Sequence, residues 1–195
     1  DVAQRVVHLQ RSIALSRNTV LSLGLSELVG SEGIVDLSQC TLSSGETYLS
    51  VENPSGGGSG QTRVTFYTDR CVFGPHAGVG DRKQPLTLLA APTQTLSGGQ
   101  LQWFERLNGY SADVECLLRD SEQSAERQDF AAVWLARWTA ANCLSPLHTV
   151  EGVRWAKPLP AKPGDLEDVE PAQFALHPNC AAAVWDGGKI GRAHV

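Results

Sequence analysis

Short stretches along the first 118 residues place Thr, Leu and β-branched residues on alternate positions. Residues 19–23 read TVLSL and residues 47–51 read TYLSV, with Thr, Leu and an aliphatic residue at every second position. Side chains of a β-strand point alternately to opposite faces, so this period of two predicts half-buried strands. No helical periodicity separates the strands, which argues against strand–helix units and helical solenoids.

These stretches belong to an internal repeat. Residues 6–23 align without a gap on residues 34–51, at an offset of 28, and six of the eighteen positions are identical. A third copy follows at an offset of 31 and a fourth at 37, with the additional residues in the loops at 54–61, 74–84 and 91–100. A unit that recurs with this length, apart from loop insertions, predicts a repeat architecture.

Each copy holds about three short strands with polar corners, which predicts one rung of a parallel β-helix per copy. An immunoglobulin-like sandwich also contains short strands, but it gives no reason for side chains to match from copy to copy. Rungs stack at strand spacing, about 4.8 Å. We therefore expect at least three stacked rungs over residues of about 5–118, with Cys40 directly over Cys71.

Equivalent residues of stacked rungs form columns along the axis. A corner column of small polar or thiol groups can hydrogen-bond along the stack and satisfy the backbone of the turn. Its members are Ser12, Cys40, Cys71 and Asn108. Two apolar columns are expected to face the interior, namely Ala14–Leu42–Phe73–Tyr110 and Val7–Val35–Phe66–Trp103.

The C-terminal half has a different pattern. Residues 127–142 place apolar side chains at i, i+3 and i+4 spacing, which predicts an amphipathic helix packed on the coil or capping its end. A cap would cover the apolar cross-section and strand edges of the last rung. Residues of about 148–195 are interpreted as an extended segment and a last rung, so that 1–195 form a single domain.

Several segments together resemble the right-handed parallel β-helix family, which is related to the pectate lyases. They are SQCTL, TDRCVFGP, LQWFERLNGY, DFAAVWLARW and FALHPNCAAAVWDGGKIGRAHV. The last is similar to a phrase, F-x-L-x-P-x-S-P-A…D-G-x-x-I-G, found near the end of many bacterial β-helices. The matching residues are Phe174, Leu176, Pro178, Ala182, Asp186, Gly187, Ile190 and Gly191. Cys180 and Ala181 stand where the phrase has Ser and Pro.

This resemblance implies a mainly β fold and a domain from the C-terminal end of a large bacterial multidomain protein. It also implies an extracytoplasmic or cell-surface location and places Val195 near a natural C-terminus. The chain contains no Met, which indicates a processed product or a piece of a longer protein. Because one fold supports many functions, the resemblance concerns fold more than activity.

Composition excludes several classes of partner. The chain has 195 residues, 42% of them hydrophobic, and a net charge of -5. A general nucleic-acid binder needs a basic footprint, and none is visible, so no nucleic-acid partner is predicted. No apolar run approaches the roughly 20 residues of a membrane span.

The five cysteines and five histidines do not suggest a metal or redox site. The odd cysteine count argues against a complete disulfide framework, and no CxxC pair is present. We expect five free thiols, because in-register side chains of parallel strands point the same way. The histidines are far apart and form no i, i+4 pair, so neither a metal nor a cofactor is predicted.

Catalysis in pectate-lyase relatives uses clustered carboxylates that hold Ca²⁺, beside a basic Arg or Lys. The candidate residues are Asp36, Asp69, Asp81, Arg70, Arg82 and Lys83. They do not form a dense acidic set in the sequence, and we place the charged residues on corners and separate loops. Hydrolysis of a glycosidic bond needs paired carboxylates, which the three columns do not supply, so no catalytic residue is predicted.

The tryptophans offer the remaining binding chemistry. Trp103 falls in an interior column, and Trp134 and Trp138 lie on the apolar stripe of the predicted helix. Trp155 and Trp185 are the candidate binding residues, because an exposed indole can stack on a sugar.

Two functions from different classes follow. The first is a non-catalytic β-helix domain for adhesion, assembly or glycan contact, with a polysaccharide or a protein as partner and a larger complex as its setting. The alternative is a carbohydrate-active enzyme, a polysaccharide lyase or hydrolase of the β-helix class. A groove with at least two carboxylates and a base would favour the enzyme, and an exposed apolar face or coil end would favour a complex.

Overall fold

The computed structural model describes residues 3–24, 31–52, 62–74, 85–92, 95–96, 99–121, 148–149, 153–157 and 169–178. Most of these residues lie in short strands. The strands are β1 (Ala3–Gln10), β2 (Ile13–Ser16), β3 (Thr19–Gly24), β4 (Ser31–Ser38), β5 (Thr41–Ser44), β6 (Thr47–Glu52), β7 (Arg63–Asp69), β8 (Val72–Phe73), β9 (Leu86–Ala91), β10 (Leu101–Arg106), β11 (Asn108–Tyr110), β12 (Val114–Asp120) and β13 (His148–Thr149). A 3-10 helix spans Pro171–Phe174.

The strands form three sheets in which every named pair is parallel. Sheet A has the order β1-β4-β7-β10, sheet B the order β13-β11-β8-β5-β2, and sheet C the order β12-β9-β6-β3. The chain therefore visits the three sheets in turn and then moves up by one strand. The structure is a β-solenoid, as the repeat predicted. Rung 1 is β1–β3, rung 2 is β4–β6, rung 3 is β7–β9 and rung 4 is β10–β12.

The strand register confirms the predicted columns. In sheet A, Val7 pairs with Val35, Val35 with Phe66, and Phe66 with Trp103. In sheet B the pairs are Ala14 with Leu42, Leu42 with Phe73, and Phe73 with Tyr110. In rungs 2 to 4 these side chains are at most 1% exposed. They form the core of the solenoid.

The interior columns become aromatic toward rung 4. The rings of Phe66 and Trp103 stack with centroids 5.3 Å apart, and those of Phe73 and Tyr110 stack at 5.0 Å. Parallel in-register strands hold equivalent rings at about the spacing that offset stacking requires. Ring stacking therefore reinforces the strand register along the axis.

The corner from sheet A to sheet B uses one left-handed residue in each rung. Arg11, Gln39, Arg70 and Leu107 have φ between 49° and 55°. This conformation strains a side chain that is not Gly or Asn. The strain is repeated at the same place in four rungs, and it turns the chain into the corner column.

The predicted corner column is confirmed. The Sγ of Cys40 lies 3.2 Å from the carbonyl oxygen of Leu9, and the Sγ of Cys71 lies 3.3 Å from that of Leu37. Each thiol thus donates to a carbonyl group of the preceding rung. Asn108 continues the column, since its Oδ1 accepts the backbone N–H of Cys71 at 2.9 Å.

The three cysteines of the described residues, Cys40, Cys71 and Cys116, are free thiols, as expected. Cys143 and Cys180 lie outside the described residues, so the expectation of five free thiols remains a prediction.

The corner from sheet B to sheet C leaves no room for a side chain at Gly45. The Oγ of Ser44 donates at this corner, lying 2.6 Å from the carbonyl oxygen of Asn18 and 2.7 Å from that of Thr47. A Cβ built on Gly45 would lie 1.7 Å from the carbonyl oxygen of Arg17 in the rung below. Backbone of adjacent rungs meets directly here.

Residues from the C-terminal half cover the outer face of sheet B. Val153, Trp155 and Phe174 form a second buried cluster with Val72 of β8. Strand β13 extends the same sheet, where His148 pairs with Asn108. The predicted helix at 127–142 lies outside the described residues. The strands of the solenoid establish the mainly β class.

We expect Gly45→Ala to lower the free energy of unfolding by about 3 kcal/mol, because backbone must move to admit the methyl group. Chemical denaturation measures the loss. The matched control is Glu46→Ala, at the neighbouring exposed position, which should change stability by less than about 0.5 kcal/mol. Equal stability of the two variants would contradict the close approach of rungs 1 and 2.

Candidate functional site

Among the described residues, the outer side of sheet A is open to solvent. The outer face of sheet B is covered by the Trp155 cluster, and all six residues of β9 in sheet C are buried. In sheet A, by contrast, buried and more exposed side chains alternate along β4 and β10, as in a strand with one face toward solvent. We call the outward positions of β1, β4, β7 and β10 the sheet A face.

One column of the sheet A face carries an imidazole, a carboxylate and two aromatic rings. Its members are His8, Asp36, Tyr67 and Phe104, in register from rung 1 to rung 4. The Nδ1 of His8 lies 3.0 Å from the Oδ2 of Asp36. The rings of Tyr67 and Phe104 stack at 5.2 Å with an angle of 12° between their planes. Tyr67 is 44% exposed, a large value for an aromatic side chain.

A neighbouring column ends in a charged group beside the corner. The Oδ2 of Asp69 lies 3.3 Å from the Nη1 of Arg70, and its Oδ1 lies 3.4 Å from the Nε of Arg106. Ser38 precedes Asp69 in this column, and Arg106 follows it. Two guanidinium groups therefore offset the charge of a single carboxylate.

A third column contains the remaining carboxylate of the face. The Nε2 of Gln4 donates to Glu32 at 3.1 Å, and the hydroxyl of Thr65 donates to it at 3.5 Å. Across the described residues, no group of three or more His, Cys, Asp and Glu side chains is arranged to hold a metal ion.

The placement of charged residues on separate loops is wrong for Asp36, and Asp69, which was predicted on a corner, is the last residue of the strand before that corner. Asp36 lies within β4 and Asp69 ends β7, so both belong to adjacent strands of one sheet. The pleat of the strands determines this, because outward positions of adjacent rungs form columns just as inward positions do. Arg70 lies at the corner, as predicted. Residues 81–83 lie outside the described residues.

A buried carboxylate was missed by the sequence analysis. Glu105 occupies an inward position of β10, in register with Thr68, and is 4% exposed. It accepts hydrogen bonds from the hydroxyl of Tyr110, from the Nε1 of Trp103 at 3.2 Å and from the Nδ2 of Asn108 at 3.3 Å. The repeat alignment places Glu105 in the same column as Leu37. A charged residue at this interior position is the signal that could have identified it.

The hydrogen bonds of Glu105 with Tyr110, Trp103 and Asn108 stabilise the interior of rung 4. Burial, followed by the adjacent Glu105 carboxylate, raises the pKa of Tyr110 well above its usual value. Burial likewise raises the pKa of Cys71 well above that of a free thiol. Both groups keep their protons and act as hydrogen-bond donors inside the solenoid.

Trp155 does not present its ring to solvent. Its side chain is 9% exposed and packs edge-on against Phe174 with ring centroids 5.5 Å apart. A Cβ built on Gly74 would lie 1.9 Å from the indole, so the ring lies directly on the backbone of rung 3. Trp185, the other candidate binding residue, lies outside the described residues.

A cavity of about 240 Å³ opens at rung 1. It lies where β1 and β4 approach β3, and Val7, Leu23 and Val35 form part of its wall. Ser22 contributes a polar edge, and its hydroxyl donates to Glu52 at 2.6 Å. Sequence analysis did not predict this cavity, because it depends on how sheets A and C meet.

None of the helical segments in the described part of the chain is long and apolar enough to cross a membrane. No family model matches the chain, and no curated protein or solved structure is significantly similar to it.

We expect Trp155→Ala to lower the free energy of unfolding by about 3 kcal/mol, because a large ring leaves a buried site. Gly74→Ala should reproduce part of this loss by displacing the same ring. Thermal and denaturant unfolding measure both. Retained stability in Trp155→Ala, together with weaker binding of a ligand, would instead make Trp155 a contact residue.

Stability is expected to fall as the pH rises from about 9 to about 11. Unfolded Cys and Tyr lose protons at about 8.5 and 10, whereas Cys71 and Tyr110 have raised pKa values in the folded state. The unfolded state then binds fewer protons, so stability decreases with pH. Denaturation across this range should give a shallower decline for Tyr110→Phe than for the wild-type chain. An identical pH slope in both proteins would contradict the assignment.

Proposed function

We propose that this chain is a non-catalytic β-solenoid module that contacts a polysaccharide through the sheet A face. The observation that carries the proposal is the stacked pair of Tyr67, which is 44% exposed, and Phe104, with polar side chains on either side in rungs 3 and 4. Aromatic groups provide apolar contact for the C–H surface of a sugar, and flanking carboxylate, amide and guanidinium groups can bind its hydroxyls.

The arrangement of carboxylates supports binding rather than turnover. Glycosidic hydrolysis requires one carboxyl group as acid and a second as base or nucleophile. On this face Asp36 is bonded to His8, and Asp69 is held by two arginines. Because each carboxylate is already bonded to other side chains, the two do not form an acid and base pair for hydrolysis. This arrangement favours adhesion, assembly or glycan contact.

The finer assignment of the fold forms part of the proposal. We infer a right-handed coil of the pectate-lyase type, from a domain of a larger bacterial protein that acts outside the cytoplasm. Support for the hand comes from the general preference of parallel strand crossovers for right-handed connections. A capping helix at 127–142 and a contact role for Trp185 are retained as predictions.

A carbohydrate-active enzyme is the second candidate, favoured by one observation. His8, Asp36 and Tyr67 follow one another in a single exposed column, so an imidazole oriented by a carboxylate lies two rungs from a phenol. Such groups can abstract and donate protons. Release of unsaturated or reducing sugars from acidic polysaccharides, abolished by His8→Ala, would establish this alternative in place of the non-catalytic proposal.

A glycan array with the wild-type chain and Tyr67→Ala tests the proposed contact. We expect polysaccharide binding that Tyr67→Ala weakens at least about tenfold, equivalent to about 1.4 kcal/mol. The matched control is Arg154→Ala, an exposed substitution outside the sheet A face, which should bind normally. Binding unaffected by Tyr67→Ala, or no binding to any polysaccharide, would overturn the proposal.

A further inference from the structure

Two free thiols lie one above the other at the corner between sheets A and B. Cys40 and Cys71 occupy equivalent positions of rungs 2 and 3, because the residues on both sides of them pair in register. The backbone N–H of Val72 donates to the carbonyl oxygen of Cys40 at 2.8 Å, which fixes the register at the corner itself. The two cysteines are far apart in the sequence, so only the solenoid brings them together as a pair.

The two cysteine side chains have the same local geometry. The Sγ of Cys40 lies 3.2 and 3.5 Å from the carbonyl oxygens of Leu9 and Ser38. The Sγ of Cys71 lies 3.3 and 3.6 Å from the two carbonyl oxygens that pair with these one rung further on. One thiol is therefore the other moved by a single rung, and their sulfur atoms are separated by roughly the strand spacing of about 4.8 Å.

This separation of the sulfur atoms suits a bridging metal ion better than a direct bond. A disulfide needs sulfur atoms about 2.05 Å apart, so the two thiols stay reduced as they lie. A bond from a metal ion to a thiolate is about 2.3 Å long, as for zinc, so a linear sulfur–metal–sulfur unit spans about 4.6 Å. The pair thus has the spacing of a two-coordinate site.

The number and type of ligands favour one kind of ion. Within the residues that the structure describes, no third His, Cys, Asp or Glu side chain joins the two thiols in an arrangement that could hold a metal. Zinc prefers four ligands in a tetrahedron. Thiolate ligands select soft ions such as Cu(I), and Cu(I) accepts two ligands in a line.

We propose that Cys40 and Cys71 bind one Cu(I) ion between rungs 2 and 3 in linear two-sulfur coordination. Two S–H bonds break, two S–Cu bonds form, and the two protons pass to solvent. Copper enters and remains as Cu(I), so no electron is transferred. The site uses no residue of the Tyr67–Phe104 contact, and either proposal can fail without the other.

The surroundings of the two thiols give them different tasks in binding. A hydrogen bond from the Cys71 thiol lowers the pKa of Cys40 to about 7, so part of Cys40 is thiolate at neutral pH and attracts a cation. Burial raises the pKa of Cys71 well above its usual value, so this proton leaves when the metal replaces it. Both cysteines are at most 1% exposed, but Gln39 and Arg70, which precede them, are partly exposed at the corner. An ion therefore reaches the sulfur atoms by passing this corner.

Anaerobic titration of the full chain with Cu(I), in competition with the coloured chelator bicinchoninate, tests the site. Cys143 and Cys180, which lie outside the described residues, are replaced by Ser in the parent protein and in every variant. We expect one bound ion per chain with an ultraviolet thiolate-to-copper charge-transfer band. X-ray absorption should find two sulfur neighbours. Binding should release about two protons per ion below pH 7 and about one above it.

Single substitutions in the parent protein locate the site. Cys40→Ser and Cys71→Ser should each weaken Cu(I) binding at least about a hundredfold. Ser12 holds the same column position in rung 1, so the column accepts a hydroxyl group. The matched control is Cys116→Ser, a buried free thiol whose register partner is Thr87, and it should bind as the parent does. Cu(I) should raise the Tm of the parent and not that of Cys71→Ser.

Several results would overturn the copper site. They are no Cu(I) binding by the parent, unchanged affinity in Cys40→Ser or Cys71→Ser, and an equal loss of affinity in Cys116→Ser. Three or more sulfur neighbours of copper, or a proton release that does not change with pH, would show that the ion binds elsewhere. The last two measurements use the parent protein, so they decide the question even where a Ser variant does not fold.

Discussion

In-register pairing of parallel strands between successive rungs is the constraint on which the whole structure depends. The backbone bond from Thr41 to Ser12, and its equivalent from Val72 to Cys40, fix each rung on the one before it. Once that register is set, the repeat offsets determine which strand residues lie next to each other in adjacent rungs. Interior stacking, corner bonding and surface ladders then follow from the same offsets.

The constraint has a cost at the corners, where the sequence provides local compensation. A left-handed residue in each rung strains the backbone, and the thiols of Cys40 and Cys71 then satisfy carbonyl groups of the rung below. Gly45 serves the opposite corner by allowing backbone contact with Arg17. These corners are specific rather than flexible, and they keep three short sheets in one register.

The repeat alignment could predict the columns because pairing preserves sequence offsets. It could not predict the left-handed positions, since Arg11 and Leu107 have no intrinsic preference for that conformation and only the solenoid imposes it. Glu105 was not predicted, because the alignment gives its position but not the bonds to Tyr110 and Trp103 that allow a carboxylate to be buried. The burial of Trp155 depends on an antiparallel bridge to Leu176, which no repeat encodes.

The sides of a solenoid are surfaces that the repeat itself builds. They present columns of side chains, so a ligand on the sheet A face would contact a linear series of groups such as Asp36 and Tyr67. Each rung pairs with its neighbours, so stability is largely a sum of local terms. The bond from the Nη2 of Arg119 in rung 4 to the hydroxyl of Thr47 in rung 2, at 3.0 Å, adds a direct link across two steps.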